Sequence, residues 1–357
     1  MRWTEPTTRP GRVNDAALAC VIVNPSKPAV TADFRRSLAR ALRSAGYRGP
    51  VWLDTTVAEP GATQARLAVA SGARLVIAVG GDGTVRAVAA GLARTGVELG
   101  LIPLGTANLA ARNLDLPVGD LDALISIAAS LPARPTDLAW VSTTPCPAPP
   151  EAGPPAPPGG WARPTLGSEH ACLVVAGIGF DAALVAVTSP ALKARIKWGA
   201  YALAALENLR TPRMELSLGL VGAPGDDVPP DAPRPGSLPG PPGPGSSRQE
   251  RLVARCLLIA NGGQLPAGIV LIPGARMDDG LLDVAAIDTV AGLAGWTSLA
   301  RQVLPPFAAT YSNPSRALGR VRLRRGTAVS VHLAEPALVQ VEDRKSTRLN
   351  SSHWLTS

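Results

Sequence analysis

Aromatic residues are scarce: Phe, Trp and Tyr together make up 4% of the 357-residue chain. No stretch interleaves them with basic residues, so a stacking groove has no support and no nucleic-acid partner is expected. Cysteine is nearly absent as well. Cys20, Cys146, Cys172 and Cys256 lie far apart with no CxxC pair, which argues against a zinc site or a disulfide framework and fits a reducing cytoplasm. Cys20 follows Ala16-Ala17-Leu18-Ala19, superficially a lipobox. No apolar h-region precedes it, however, and the run continues through Val21-Ile22-Val23 as a strand does. No uncharged apolar run reaches the ~18 residues that would cross a bilayer, so any membrane contact is expected to be peripheral.

What is present is enough for two domains with a full core: the chain is 46% hydrophobic, and its 17% charged residues leave a net charge of +8. That excess favours an anionic partner such as a nucleotide or an acidic lipid surface.

The most informative stretch is Leu75 to Val88. Five apolar residues, Leu75 to Val79, read as a buried strand. Gly80-Gly81-Asp82-Gly83-Thr84 follows, and an apolar helical period (Val85, Val88, Ala89, Leu92) starts after it. Glycines allow positive φ and close approach of a ligand, and a helix N-terminus offers N–H groups to an anion. A carboxylate among such amides would repel a phosphate, so Asp82 makes sense mainly with a cation, most often Mg2+, between them. The alternative is a tight turn with a helix-capping Asp.

Residues 1–15 read as a loose N-terminus. Within 16–136, strands at Ala17–Val23, Val51–Leu53, Leu75–Val79 and Leu99–Leu104 alternate with helices, including Phe34–Ala45 and Thr63–Ser71. That alternation predicts a doubly wound, mostly parallel α/β domain. Its strand ends carry Asn24-Pro25-Ser26-Lys27, Asp54-Thr55-Thr56, the glycine turn, and Gly105-Thr106-Ala107-Asn108. Open α/β sheets bind ligands at that edge.

From residue 137 to 341 short β-like runs predict an all-β sandwich: Leu138–Val141, Ala171–Ala176, Met214–Leu220, Leu252–Ala260, Gly280–Ile287, Val321–Leu323 and Val329–Leu333. Insertions at 145–164 and 224–247 hold nine prolines each, half of the chain's 36, and read as solvated loops. Gly177-Ile178-Gly179 suits a glycine loop or an ordinary tight turn. A helix over Leu192–Leu209 joins Lys193, Arg195 and Lys197 to an apolar face, which suits either a lipid surface or a core helix with a solvated basic end. The run Ile272 to Asp283 gathers carboxylates around a glycine turn and reads as a hard-cation site or an Asp-Gly hairpin.

Taken together, Asn24-Pro25, the GGDGT string, Pro103-Leu104-Gly105-Thr106-Ala107-Asn108, Gly177 to Ala182, Ala260-Asn261-Gly262 and Pro273 to Val284 resemble the diacylglycerol kinase catalytic-domain family. That family of lipid kinases includes bacterial diacylglycerol kinases and sphingosine kinases. The resemblance covers about residues 17–341 in the family's order. GGDGT alone is shared with NAD kinases and phosphofructokinases; the LGTAN and DDGLLDV strings make the match more specific. It implies ATP held by Asn24, Pro25, Ser26, Lys27, Thr55, Thr56, Gly80, Gly81, Asp82, Gly83, Thr84, Val85, Arg86, Thr106 and Asn108. Asp82 would be catalytic through Mg2+ and its waters. A second, structural Mg2+ would be held by the Asp279 carboxylate with the Arg276 and Leu281 carbonyls. The acceptor would be diacylglycerol or a related lipid, a sphingoid base included, met at a membrane surface by a cytoplasmic enzyme; a homodimer is compatible.

The resemblance fails near the C-terminus. The family has Asp-Gly-Glu there, its Glu taken as general base, where this chain reads Glu342-Asp343-Arg344. Arginine cannot accept the proton, so a base at Glu342 or Asp343 would need a slipped register. The returning strands are expected to be missing, and 342–357 reads as an atypical, foreign tail. A nucleotide-binding pseudokinase and an NAD kinase-like small-molecule kinase are the alternatives.

Overall fold

The computed structural model describes residues 16–145, 169–179, 213–222, 248–265, 269–270, 272, 274–289, 319–342 and 344–356. Residues 1–15, the proline-rich insertions apart from Pro145, the basic helix expected at 192–209 and Asp343 lie outside them.

The first domain runs β1 (Leu18–Val23), α1 (Ala32–Ser44), β2 (Arg48–Asp54), α2 (Ala62–Ala70), β3 (Ala73–Gly80), α3 (Asp82–Leu92), β4 (Glu98–Pro103), α4 (Leu109–Asn113) and α5 (Leu121–Ser130). Its four strands are parallel in the order β2-β1-β3-β4. β3 is buried at every position but Arg74, as a central strand covered on both faces must be. On one face α1 and α5 pack Phe34, Leu38, Leu42 and Ile125 against Val21, Ile77 and Ile102. The spacing of four between the buried α1 residues is one stripe of a helix. Thr31 caps α1 through the Phe34 N–H, and Asp120 caps α5 through that of Ala123. The other face carries α2 and α3. α3 is buried along its whole length from Thr84 to Leu92, because the second domain covers the side that the sheet does not.

The doubly wound expectation holds, with one shift. α3 begins at Asp82, three residues before its apolar period, so the carboxylate sits in the first helical turn.

The second domain contains β5 (Ala139–Pro145), β6 (Glu169–Cys172), β7 (Val175–Ile178), β8 (Met214–Val221), β9 (Arg248–Ala254), β10 (Cys256–Ala260), β11 (Gln264–Leu265), β12 (Ile269–Val270), β13 (Leu282–Thr289), β14 (Gly319–Gly326), β15 (Ala328–Val341) and β16 (Arg344–Thr356). All pairings are antiparallel, and the main sheet runs β14-β13-β10-β7-β15-β16-β5-β6, with β8 and β9 branching from β15. The branch makes it sandwich-like. The first half of β15 pairs with β8 and its last three residues with β7, so one strand belongs to both layers. Leu216, Leu218, Leu220, Val284, Val331, Val339 and Val341 fill the space between.

Three expectations change. The run Ala171–Ala176 is two strands, interrupted at Leu173-Val174 where the chain dips toward the first domain. Leu252–Ala260 is also two, parted at Arg255, whose N–H donates to Ile287 O at 2.8 Å. The returning strand is present: β16 pairs with β15 on one edge and β5 on the other. Val341 pairs with Arg344, so the chain reverses direction at Glu342, whose φ is +54°.

Candidate active site

The strand order places a topological switch between β1 and β3. The chain leaves β1 toward α1 on one face and leaves β3 toward α3 on the other, opening a crevice at the carboxyl ends of the two strands. The loops expected to hold a nucleotide meet there. The Asn24 N–H donates to Val79 O at 2.9 Å, tying the end of β1 to β3. Asn24 Oδ1 accepts from the Ser26 N–H (3.0 Å) and hydroxyl (2.7 Å), folding Asn24–Lys27 back on itself.

Gly81 and Gly105 are in contact across the β3 and β4 loops. A Cβ on Gly105 would lie 2.9 Å from the Gly81 Cα and 2.7 Å from Asn108 Oδ1, so no side chain fits. A Cβ on Gly81 would lie 3.8 Å from Lys27 Nζ, which places the ammonium beside the glycine loop. Gly81 is the N-cap of α3, so the N-terminal end of that helix lies at this crevice. Backbone N–H groups and an ammonium around a space that excludes Cβ atoms form an environment for phosphate oxygens.

Asp82 faces the β4 loop. One carboxylate oxygen accepts the Asn108 N–H at 2.9 Å and the other the Leu109 N–H at 2.5 Å. Asp82 thus caps α4 from another segment rather than its own helix α3, whose N-cap is Gly81. Capping does not exclude a metal, since a carboxylate has about four lone-pair sites. Asn108, buried and left-handed at φ +49°, spans its own loop by accepting from Gly105 N–H (2.8 Å) and donating to Gly105 O (2.9 Å).

The remaining expected residues divide. Thr55 is buried, its N–H on Val23 O at 2.9 Å. The Thr56 hydroxyl closes a turn by accepting the Glu59 N–H at 3.0 Å. Gly80 O accepts the Leu104 N–H at 2.7 Å, and Thr106 is exposed. Thr84 and Val85 point into the protein, their N–H groups on Gly81 O at 3.0 Å. Arg86 is committed elsewhere: buried, with Nη1 on Val341 O at 3.1 Å and Nε 3.8 Å from Glu342 Oε2.

The acidic turn expected to hold a second magnesium ion contains a guanidinium. Arg325 of β14 donates to both Asp283 oxygens (2.6 and 3.1 Å), to Asp279 Oδ2 (3.1 Å) and to Gly274 O (3.0 Å). Asp279 Oδ1 accepts the Leu281 N–H at 3.1 Å, and the Arg276 side chain turns outward to Asp278. Arg325 thus brings a positive charge against the Asp279 and Asp283 carboxylates of this turn.

Residue spacing did not reveal Asp137, whereas Asn261 lies in the Ala260-Asn261-Gly262 string that carries the family resemblance. Asp137 Oδ2 accepts the Gly280 N–H at 2.7 Å. Burial pushes its carboxyl above the ordinary range, the Asp279 and Asp278 charges add to this, and the Gly280 N–H opposes it. Asn261 Nδ2 bonds Asp137 O at 2.8 Å and Leu173 O at 3.0 Å. The one advance signal for Asp137 was a carboxylate immediately before a β-like run.

Residues 18–141 match the model of the diacylglycerol kinase catalytic domain, and residues 172–343 that of the YegS C-terminal NAD kinase beta sandwich-like domain. A Pseudomonas putida protein named "Probable lipid kinase YegS-like" is 30% identical over 275 residues, 75% of this chain and 73% of the relative. The chain belongs to the diacylglycerol kinase catalytic-domain family. A Xanthomonas oryzae family member of the same name is 32% identical over 231 residues, 63% of this chain, which spans only 60% of that relative's length. The solved structure of a diacylglycerol kinase from Bacillus anthracis superposes with a TM-score of 0.60 at 19% identity, covering 95% of this chain and 93% of that one. At that identity the likeness speaks for the family fold alone.

Proposed function

We propose that this chain is an ATP- and Mg2+-dependent lipid kinase that phosphorylates a hydroxyl of diacylglycerol or a related lipid. The observation that carries this reading is the convergence of Lys27, the Gly81–Gly105 contact and Asp82 at the switch point of the sheet. Asn24–Lys27, Gly80–Gly83, Thr106 and Asn108 line the ATP phosphates, with Thr55 and Thr56 at the neighbouring strand end. Lys27 and the N-terminal end of α3 offset phosphate charge, and Asp82 would hold a hydrated Mg2+, which would supply further charge neutralisation for phosphoryl transfer. In the transfer, the lipid oxygen bonds the γ-phosphorus, the bond from that phosphorus to the β,γ-bridging oxygen breaks with ADP as leaving group, and the hydroxyl proton passes to solvent water. Such chemistry needs positioning and charge neutralisation above all.

The lipid is met at a membrane surface on the cytoplasmic side. Among the described residues, no helix is long and apolar enough to cross a membrane.

Calorimetric titration tests the nucleotide half of the reading. ATP binds only with Mg2+ present, Lys27→Ala weakens it, and NAD does not compete. Absence of ATP binding overturns the proposal. A second reading, a nucleotide-binding pseudokinase, is favoured by Arg344 opening β16 where the family has its basic Glu; it predicts ATP binding without turnover.

A further inference from the structure

The connection Leu173-Val174 between β6 and β7 is the wedge by which the sandwich enters the first domain. Both side chains pack in the cluster that holds Val85, Val88 and Ala89 of α3. Their backbone is held from two sides. Glu342 Oε1 accepts the N–H of Leu173 at 2.6 Å and of Val174 at 3.2 Å. Asn261 Nδ2 donates to Leu173 O at 3.0 Å, and the N–H groups of Asn261 and Gly262 reach Val174 O at 2.7 and 3.1 Å. The Glu342 N–H donates to Val175 O at 3.0 Å.

Behind Glu342 stands Arg86, one turn along α3 from Asp82. Its Nη1 bonds Val341 O and its Nε faces Glu342 Oε2 at 3.8 Å, with side chains only 7% and 2% exposed. A hairpin turn thus carries a buried carboxylate whose two oxygens face opposite ways, one toward the wedge and one toward the helix of the glycine loop. The left-handed backbone of Glu342 is unfavourable for a non-glycine residue and persists where surrounding contacts fix it.

We propose that Arg86 and Glu342 are positioning residues, a latch that locks the β6–β7 connection onto α3 and so fixes the β-sandwich relative to the glycine loop. Enclosed in this way, Glu342 does not reach a substrate hydroxyl and is not the proton acceptor. The effect on turnover rests on the lipid-kinase reading; the latch itself does not.

The test compares the full chain with Glu342→Gln, Arg86→Met, Arg86→Lys and the double variant E342Q/R86M. It measures amide hydrogen exchange at Leu173 and Val174 beside kcat and KM for phosphate transfer. Glu342→Gln keeps an acceptor for both amides and removes only the charge facing Arg86. Each of E342Q and R86M is expected to speed exchange at the two amides about tenfold, the opening equivalent of one hydrogen bond. Each raises KM more than it lowers kcat, the double variant is no worse than either single, and Arg86→Lys restores part of the protection. Two results overturn the proposal. One is unchanged exchange in both single variants. The other is a kcat loss of about 10²–10⁴-fold in E342Q alone, with exchange and KM intact and one limb of the pH profile gone, which marks a proton acceptor. If E342Q does not fold, the R86K and R86M pair carries the same comparison. Absence of transfer by the native chain counts against the kinase reading only, and exchange still decides the latch.

Discussion

Asp82 accepts the Leu109 N–H at 2.5 Å, across 27 positions of sequence, so the carboxylate expected to serve a metal also caps α4. Removing it therefore has two effects. Asp82→Ala loses the cap as well as the charge and is expected to destabilise the fold by about 0.5–2 kcal/mol, the usual range for a lost N-cap. Asp82→Asn keeps one acceptor oxygen. We expect a melting temperature near that of the native chain with phosphate transfer reduced to background, measured by thermal unfolding beside a turnover assay. Equal loss of stability in both variants would assign Asp82 to structure alone.

Arg325 gives the acidic turn its own cation. The native chain should melt at the same temperature in EDTA and in millimolar Mg2+ when no nucleotide is present. Arg325→Met strands the buried Asp283 carboxylate, whose side chain is 6% exposed beside an Arg325 that is 34% exposed. The cost is of order 2 kcal/mol, less than for a fully buried pair. A rise of several degrees on adding Mg2+ to the native chain would restore the expected metal site.

Glu250 of β9 joins the edges of the sandwich by accepting from Arg324 of β14 at 2.8 and 2.7 Å. Its carboxyl is held below the ordinary range by the Arg324 hydrogen bonds first, with the Arg324, Arg248 and Arg322 charges adding to them. A depressed folded-state pKa gives stability that is present above the unfolded value, about 4.3, and lost as pH falls through the folded one. Melting curves between pH 3 and 7 should show this loss in the native chain and a shallower acid limb in Glu250→Gln. Identical limbs would mean that the pair contributes nothing.

The parallel sheet was legible because its central strands β1 and β3 are buried apolar runs and helices alternate with the strands. Gly81, Asp82, Gly105 and Asn108 were legible because their chemistry is local to two strand-end loops. Other features depend on partners remote in sequence. Asp137 meets Gly280 across 143 positions, Glu342 meets Leu173 across 169, and Arg86 meets Val341 across 255. No periodicity records such distances. The split of Ala171–Ala176 was hidden because the wedge residues Leu173 and Val174 are as apolar as the strands they separate. β16 was hidden for the opposite reason: Asn350-Ser351-Ser352 has poor strand propensity, and pairing on both edges overrides it.

The most direct measurement is transfer of labelled γ-phosphate from ATP to diacylglycerol in mixed micelles containing Mg2+, with Asp82→Asn run in parallel. The account predicts a labelled phospholipid from the native chain and none from a folded Asp82→Asn. Native protein that binds ATP with Mg2+ yet labels no lipid, or an Asp82→Asn variant that labels it equally well, would contradict it.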